Sequence, residues 1–230
     1  MVAGAPGRLL ARGAEAEVYL VEWGGRPAVL KRRVPKPYRH PLLDRSLRIK
    51  RTLTEARMLV RCLELGVSVP VLYEARLSRA EIVMEYVPGV SLRWYLEEHG
   101  LDGVAERAAR ELGRMIGVLH EHGFTHGDVT TSNLIIGEGG SYKLIDLGLA
   151  EATRSLEDQA VDVHLYLRAV ESTHPEHTEA LFNLFLEGYR GVRGGDTTER
   201  VLEAVRRIRL MGRYVEERRR RTVWGELRLE

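Results

Sequence analysis

His126-Gly127-Asp128-Val129-Thr130-Thr131-Ser132-Asn133, followed after two short apolar runs by Asp146-Leu147-Gly148, is the most informative part of this chain. An Asp and an Asn on one tight loop, with a second Asp ahead of a glycine, are the acidic groups that ATP-dependent phosphoryl transfer requires. Asp128 stands where an acceptor hydroxyl or a water arrives, to orient it and take its proton late in the reaction. Asn133 offers an amide oxygen to magnesium, and Asp146 supplies the main carboxylate. Mg2+ prefers hard oxygen ligands and is held by one or two carboxylates plus phosphates and waters. These few groups therefore suffice, and the remaining phosphate charge calls for cations.

The runs between the acids, Leu134-Ile135-Ile136 and Tyr142-Lys143-Leu144-Ile145, predict a hairpin across Gly139-Gly140. It carries Asn133 at one end and Asp146 at the other, so that two distant residues meet one ion. His126 reads as a packed, hydrogen-bonded organiser of the loop, because phosphoryl transfer asks little of a histidine there.

Upstream, Arg26-Pro27-Ala28-Val29-Leu30-Lys31 predicts a short strand ending in a phosphate-binding ammonium. Lys31 is one of only four lysines, with Lys36, Lys50 and Lys143, in a chain that otherwise uses arginine. Its expected partner is Glu55, within the helical pattern Leu53, Ala56, Leu59, Val60, Leu63, one face of which is expected to be buried against a sheet. Alone, each would read as surface filler; the downstream acids favour the pair. Gly13-Ala14-Glu15-Ala16-Glu17-Val18 reads as the phosphate cover, with a plain hairpin turn as the alternative. Ala14 and Glu15 have fewer φ > 0 options than glycine. Glu15 also adds negative charge near phosphates, so a stiff, less accommodating cover is expected.

The first part of the chain predicts strands near 8–11, 17–22 and 27–33, a helix near 44–65, and strands near 70–77 and 81–87, with Gly24-Gly25 as a hairpin turn. That is a small antiparallel sheet with one covering helix. Glu85-Tyr86-Val87-Pro88-Gly89 then reads as a hinge, or else a simple strand end. Adenine there would use main-chain groups of Glu85 and Val87, with Met84 limiting the depth of the pocket. Beyond it the chain is expected to be helical: 92–98 capped by Ser91, Val104–His122 burying Leu112, Ile116 and Leu119, a helix from near Glu157, and a long one from about Thr198.

Length and composition agree with this organisation. A chain of 230 residues can bury a good core as one unit or two small lobes, and a net charge of +2 exerts no global pull on polyanions. The one cysteine, Cys62, rules out an internal disulfide and is expected to face the core of the Glu55 helix. Met1 to Gly7 lacks the charged start and apolar block of a signal peptide, and no apolar run approaches bilayer length. A soluble, cytoplasmic protein without membrane contact is expected. Arg206, Arg207, Arg209, Arg213 and Arg218 to Arg221 make a basic end. Such a cluster can contact nucleic-acid phosphates. The other reading is a solvated helix face, balanced by Glu203, Glu216 and Glu217.

Together these residues resemble the protein kinase superfamily and, within it, the PRPK-like family of small atypical kinases and ATPases of the KEOPS complex. Gly13-Ala14-Glu15-Ala16 resembles that family's replacement for the glycine loop, and Lys36-Pro37-Tyr38-Arg39-His40-Pro41-Leu42-Leu43-Asp44 resembles its linker before the first long helix. Asp158 to Asp162 and Ser172-Thr173-His174-Pro175 resemble its later signatures, so the similarity runs over nearly the whole chain. The resemblance implies an α+β, two-lobed protein-kinase-like fold. Residues 1–87 form a small antiparallel β lobe with one main helix, and residues 88–230 a reduced, mostly helical lobe with a basic tail. It also implies ATP and Mg2+ as cofactors, and serine/threonine kinase or ATPase activity. The partners implied are the KEOPS transferase subunit, of sugar-kinase-like fold, other KEOPS subunits and tRNA. The implied process places threonylcarbamoyl on the adenosine next to the anticodon.

Departures from ordinary protein kinases bear on mechanism. Gly127 stands where most of them place an arginine that reads a phosphorylated activation loop, so switching by that route is not expected. The Ala-Pro-Glu element is missing, and little chain separates Asp146 from the next helix. Thr153 and Ser155 lie in that stretch as possible phosphorylation sites or merely solvated hydroxyls. Aminoglycoside and choline kinases also use His-Gly-Asp, which makes a small-molecule phosphotransferase the enzymatic alternative. A pseudokinase scaffold is the non-catalytic one.

Overall fold

The structure is a computed structural model; it describes residues 7–226, with side chains up to residue 211. Strands β1 (Arg8–Arg12), β2 (Ala16–Trp23) and β3 (Arg26–Arg33) lead into helix α1 (Pro41–Glu64), followed by β4 (Leu72–Arg76) and β5 (Glu81–Glu85). The five strands form one antiparallel sheet in the order β1-β2-β3-β5-β4. Gly24 and Gly25 both take positive φ, 57° and 76°, which is the turn geometry that joins a twisted two-strand pair.

Helix α1 begins three residues earlier than the apolar pattern suggests. Pro41 occupies its first turn, where the fixed φ suits a helix and the missing N–H costs nothing. Asp44 then accepts from the Lys36 N–H at 3.1 Å and pairs with Arg48 at 2.7 Å, tying the linker to the helix. The buried face also differs from the expected one. Thr52, Glu55, Ala56, Met58, Leu59 and Cys62 are buried, whereas Val60 and Leu63 are 47% and 43% exposed. The stripe is rotated because the helix turns a carboxylate, Glu55, toward the sheet.

After β5 come β6 (Gly89–Ser91), α2 (Leu92–His99), α3 (Gly103–Glu121), β7 (Phe124–Thr125), β8 (Leu134–Gly137), β9 (Tyr142–Leu144), β10 (Glu151–Ala152), α4 (Leu156–Thr173), α5 (Thr178–Arg193) and α6 (Gly195–Glu226). Strand β5 ends at Glu85 rather than 87, and the hinge leads into β6, which pairs with β8. Ser91 caps α2 through the Trp94 N–H at 3.2 Å. Helix α5 has no counterpart in the sequence reading, and α6 starts at Gly195.

Helix α3 is the axis of the helical part: Leu112, Met115, Ile116 and Leu119 are fully buried. It lies so close to α5 that a Cβ at Gly113 would collide with the Phe185 carbonyl, and one at Gly188 with the Arg110 carbonyl. Phe185 stacks on Tyr166 of α4 at 4.3 Å between ring centroids. The β8–β9 hairpin is held against the sheet side by Leu144 N–H to the Ser68 carbonyl at 2.9 Å and by Lys143 Nζ to Glu85 Oε2 at 2.6 Å. These two links set where the acid-bearing loops lie relative to β3. Among the described residues no helix is long and apolar enough to cross a membrane.

Candidate active site

Lys31 sits near the end of β3 with its ammonium 2.8 Å from Glu55 Oε1 and 2.8 Å from Asp146 Oδ1. The pairing expected from sequence is therefore formed across 24 residues, and the structure adds Asp146 to it. Burial works against the ammonium, but the two carboxylates outweigh it and hold Lys31 above the ordinary lysine pKa. Burial likewise opposes ionisation of Asp146, and Lys31 overcomes it, keeping that carboxyl below the ordinary aspartate value. Asp146 has φ +62°, a left-handed conformation rare for a side-chain-bearing residue and characteristic of functional loops.

The loop from His126 to Asn133 is set by hydrogen bonds from beneath. His126 is fully buried; its Nε2 lies 3.1 Å from the Ile145 carbonyl and its Nδ1 accepts from the Asp128 N–H at 3.2 Å. It organises the loop, as expected, and it links that loop to the residue before Asp146. Asn133 donates to the Asp128 carbonyl at 2.8 Å and to Asp128 Oδ2 at 3.0 Å. Both amide hydrogens are thus spent, so its side-chain oxygen is the atom left for a cation. The Ile145 N–H to Asn133 carbonyl bond at 2.9 Å closes the hairpin and brings the two candidate ligands together. With Asp146 Oδ1 turned to Lys31 and Oδ2 accepting no hydrogen bond among the described residues, the donor set is one amide oxygen and one carboxylate oxygen. Both are hard, as magnesium requires.

Two adjoining cavities share this centre. One, of about 350 Å3, is lined by Leu10, Val18, Val29, Met84, Val87 and Ile145. Its apolar walls suit a flat base, and Met84, 9% exposed, closes its back. The Glu85 N–H is spent on the Val71 carbonyl at 2.8 Å, which leaves the Glu85 carbonyl and the Val87 main chain as the groups of this stretch that could meet a base edge. The other, of about 450 Å3, runs under Gly13, Ala14 and Glu15 to Lys31, Asp128 and Asp146. Glu15 lies in it but does not add uncompensated charge, which corrects the sequence expectation. It is paired with Arg51 of α1 and, at 3.3 Å, with Arg39 of the linker.

Two residues of the site carried no role in the sequence reading, which named Asp162 only as the end of the Asp158–Asp162 signature and Arg33 only as the end of a strand. Asp162 on α4, 1% exposed, accepts from the His126 N–H at 2.6 Å and the Gly127 N–H at 2.8 Å, and pairs with His120 at 3.1 Å. A carboxylate embedded in the apolar stripe Ala160, Val163, Tyr166, Val170 was its available signal. Arg33, 4% exposed, donates to Glu55 Oε2 at 2.5 Å. Two residues beyond Lys31 on a strand, it shares the face of Lys31. Thr153 and Ser155 are not merely solvated: Thr153 donates to Asp158 Oδ2 at 2.7 Å, and Ser155 caps α4 through the Asp158 N–H at 3.2 Å. Of the basic end, Arg209 is paired with Glu171 at 2.7 Å. Arg213 and Arg218 to Arg221 lie outside the residues with described side chains.

A five-stranded sheet with a lysine–glutamate pair, joined by a hinge to a helical part that carries Asp128, Asn133 and Asp146, defines a protein-kinase-like phosphotransferase or ATPase. The protein kinase domain model matches residues 8–179. A KEOPS complex subunit Bud32 of Pyrococcus abyssi is 44% identical over 91% of this chain and 97% of its own length. An EKC/KEOPS complex subunit bud32 of Dictyostelium discoideum is 37% identical over 90% of this chain and 83% of its own. This chain belongs to the Bud32 family of KEOPS complex subunits, within the protein kinase superfamily. It is also 37% identical to a probable bifunctional tRNA threonylcarbamoyladenosine biosynthesis protein of Methanothermobacter thermautotrophicus, of which it spans 37%. Among solved structures, a Rio2 kinase–ADP/Mg2+–phosphoaspartate complex from Chaetomium thermophilum shares the fold, with a TM-score of 0.61 at 16% identity over 89% of this chain and 71% of that one.

Proposed function

We propose that this chain turns over ATP, with Mg2+, as the kinase-like subunit of a KEOPS complex that serves threonylcarbamoyl modification of the adenosine next to the anticodon in tRNA. The observation that carries this reading is the convergence of Lys31 on Glu55 and Asp146 beside an Asn133 whose amide is turned onto Asp128. Residues 1–87 would act as the nucleotide-covering lobe and 88–230 as the acid-bearing lobe.

Lys31, braced by Glu55, binds phosphate oxygens, while Gly13, Ala14 and Glu15 cover them and Met84, Glu85 and Val87 frame the base. Asp128 orients the acceptor, a water or a serine or threonine hydroxyl, and takes its proton. Asn133 and Asp146 would hold Mg2+, which when bound offsets the charge of the phosphates. The bifunctional tRNA threonylcarbamoyladenosine biosynthesis relative, of whose length this chain spans 37%, supports a part in that modification. The basic end of α6 is the surface we assign to tRNA, alongside the other KEOPS subunits.

The test is phosphate release from ATP by the purified chain, alone and with the transferase subunit and tRNA. Wild type should be stimulated by the partner, and Asp146→Ala should lose turnover by at least about 100-fold, in line with removal of a transition-state charge ligand. Turnover that survives Asp146→Ala, or that no partner stimulates, sinks the reading. Phosphate transferred to choline or an aminoglycoside would replace it with the metabolite kinase.

A further inference from the structure

Asp146, Lys31, Glu55 and Arg33 form an unbroken chain of four charges with links of 2.8, 2.8 and 2.5 Å. Three of them are nearly sealed from solvent: the side chains of Lys31, Arg33 and Glu55 are 8%, 4% and 1% exposed. Two cations and two anions balance, and Glu55 is the one member shared by both cations. Resting on the phosphoryl-transfer reading, we propose that Arg33 is a positioning residue for Lys31. It fixes Glu55 from the same strand, keeping the lysine–glutamate pair in place and leaving the Lys31 charge available to phosphate.

Three observations carry this. First, Lys31 uses only Oε1 of Glu55, because Oε2 belongs to Arg33. A carboxylate shared in this way holds the ammonium by one bond; without Arg33, both oxygens would turn to Lys31 and compete with phosphate for its hydrogens. Second, Glu55 ties α1 to β3 through two bonds, one to Lys31 and one to Arg33, so breaking either pair alone leaves the other in place. Third, Arg33 is poorly explained as packing. Its Nη1 is buried without a partner among the described residues, a costly arrangement that an apolar side chain of the same length would avoid. Its Nη2 fills the space beside Gly148, where a Cβ would collide with it. The guanidinium thus also props the loop that carries Asp146.

The test compares Mg·ADP dissociation constants of full-length wild type, Arg33→Lys, Arg33→Met, Glu55→Gln and the Arg33→Met/Glu55→Gln double variant. Arg33→Met should weaken binding about tenfold, and Arg33→Lys should stay within about threefold of wild type. The double variant should bind no more weakly than Glu55→Gln alone, because Arg33 acts through Glu55. Multiplying penalties, or wild-type binding by Arg33→Met, overturn the proposal. Arg33→Gln substitutes if Arg33→Met does not fold. Hydrogen exchange without nucleotide separates this inference from the reading it rests on. If wild type binds no Mg·ADP, the phosphoryl-transfer reading falls. Faster exchange confined to residues 52–59 of Arg33→Met would then still support the positioning, and unchanged exchange would overturn it.

Discussion

Gly127 has φ +81°, and a Cβ there would run into the Leu149 carbonyl. An arginine is therefore excluded by the backbone itself at the position from which ordinary protein kinases read a phosphorylated loop. The two N–H groups at this turn, His126 and Gly127, are both taken by Asp162, so the conformation is held from the core rather than by a switchable contact. Gly127→Ala should lose about 2–4 kcal/mol, combining left-handed strain with the collision, as read by denaturant unfolding. A loss below about 1 kcal/mol would mean that the turn relaxes freely. Cys62 illustrates the opposite case, a residue with no chemistry to perform: burial pushes its thiol up to about 12, which suits an inert core position.

At the scale of elements, α4 acts as the foundation of the loop from His126 to Asn133. His120 of α3 bridges Asp162 and the Tyr189 hydroxyl, 3.1 and 2.8 Å away, joining α3, α4 and α5 in one buried network. Desolvation holds His120 below its usual 6.5, with Asp162 offsetting only part of that. The sign follows: below about pH 6.5 the unfolded chain takes up a proton that native His120 refuses, so stability declines with falling pH toward the lower native value. His164 and His174 are lowered by burial too and contribute in the same direction. Urea midpoints between pH 5 and 7.5 should show this slope, and His120→Asn should flatten part of it. An unchanged slope would place the proton uptake on the other two histidines. Helix α1 shows how far pattern reading goes: its existence and its glutamate follow from spacing. Its buried face does not, because Lys31 and Arg33 draw a charged residue inward and leave Val60 and Leu63 in solvent.

For the whole molecule, the described part of α6 runs from packed to exposed positions. Val201, Ala204 and Val205 are buried, while Leu210 and Met211 are 52% and 61% exposed. Removing residues 212–230 should leave the melting temperature within about 3 °C, about the shift that 1 kcal/mol causes in a domain of this size. The same truncation should weaken tRNA binding by the assembled complex and make its salt dependence shallower, since fewer arginines displace counterions. A melting temperature lowered by 10 °C or more would show that the tail is a structural element.

The sequence determined the candidate groups: Asp128, Asn133 and Asp146 at their spacing, Lys31 on a strand, Glu55 on a helix and the glycine pairs at 24–25 and 139–140 all follow from local patterns. Backbone period and turn chemistry act over a few residues and are written in them. Only the tertiary structure decided that Asp146 shares Lys31 with Glu55, that Glu15 is neutralised by Arg39 and Arg51, that Arg33 takes the second oxygen of Glu55, and that Asp162 anchors the loop from α4. The partners in these contacts come from distant parts of the chain, and which charge pairs with which depends on burial and direction, and neither is fixed until the sheet, α1 and α4 have packed.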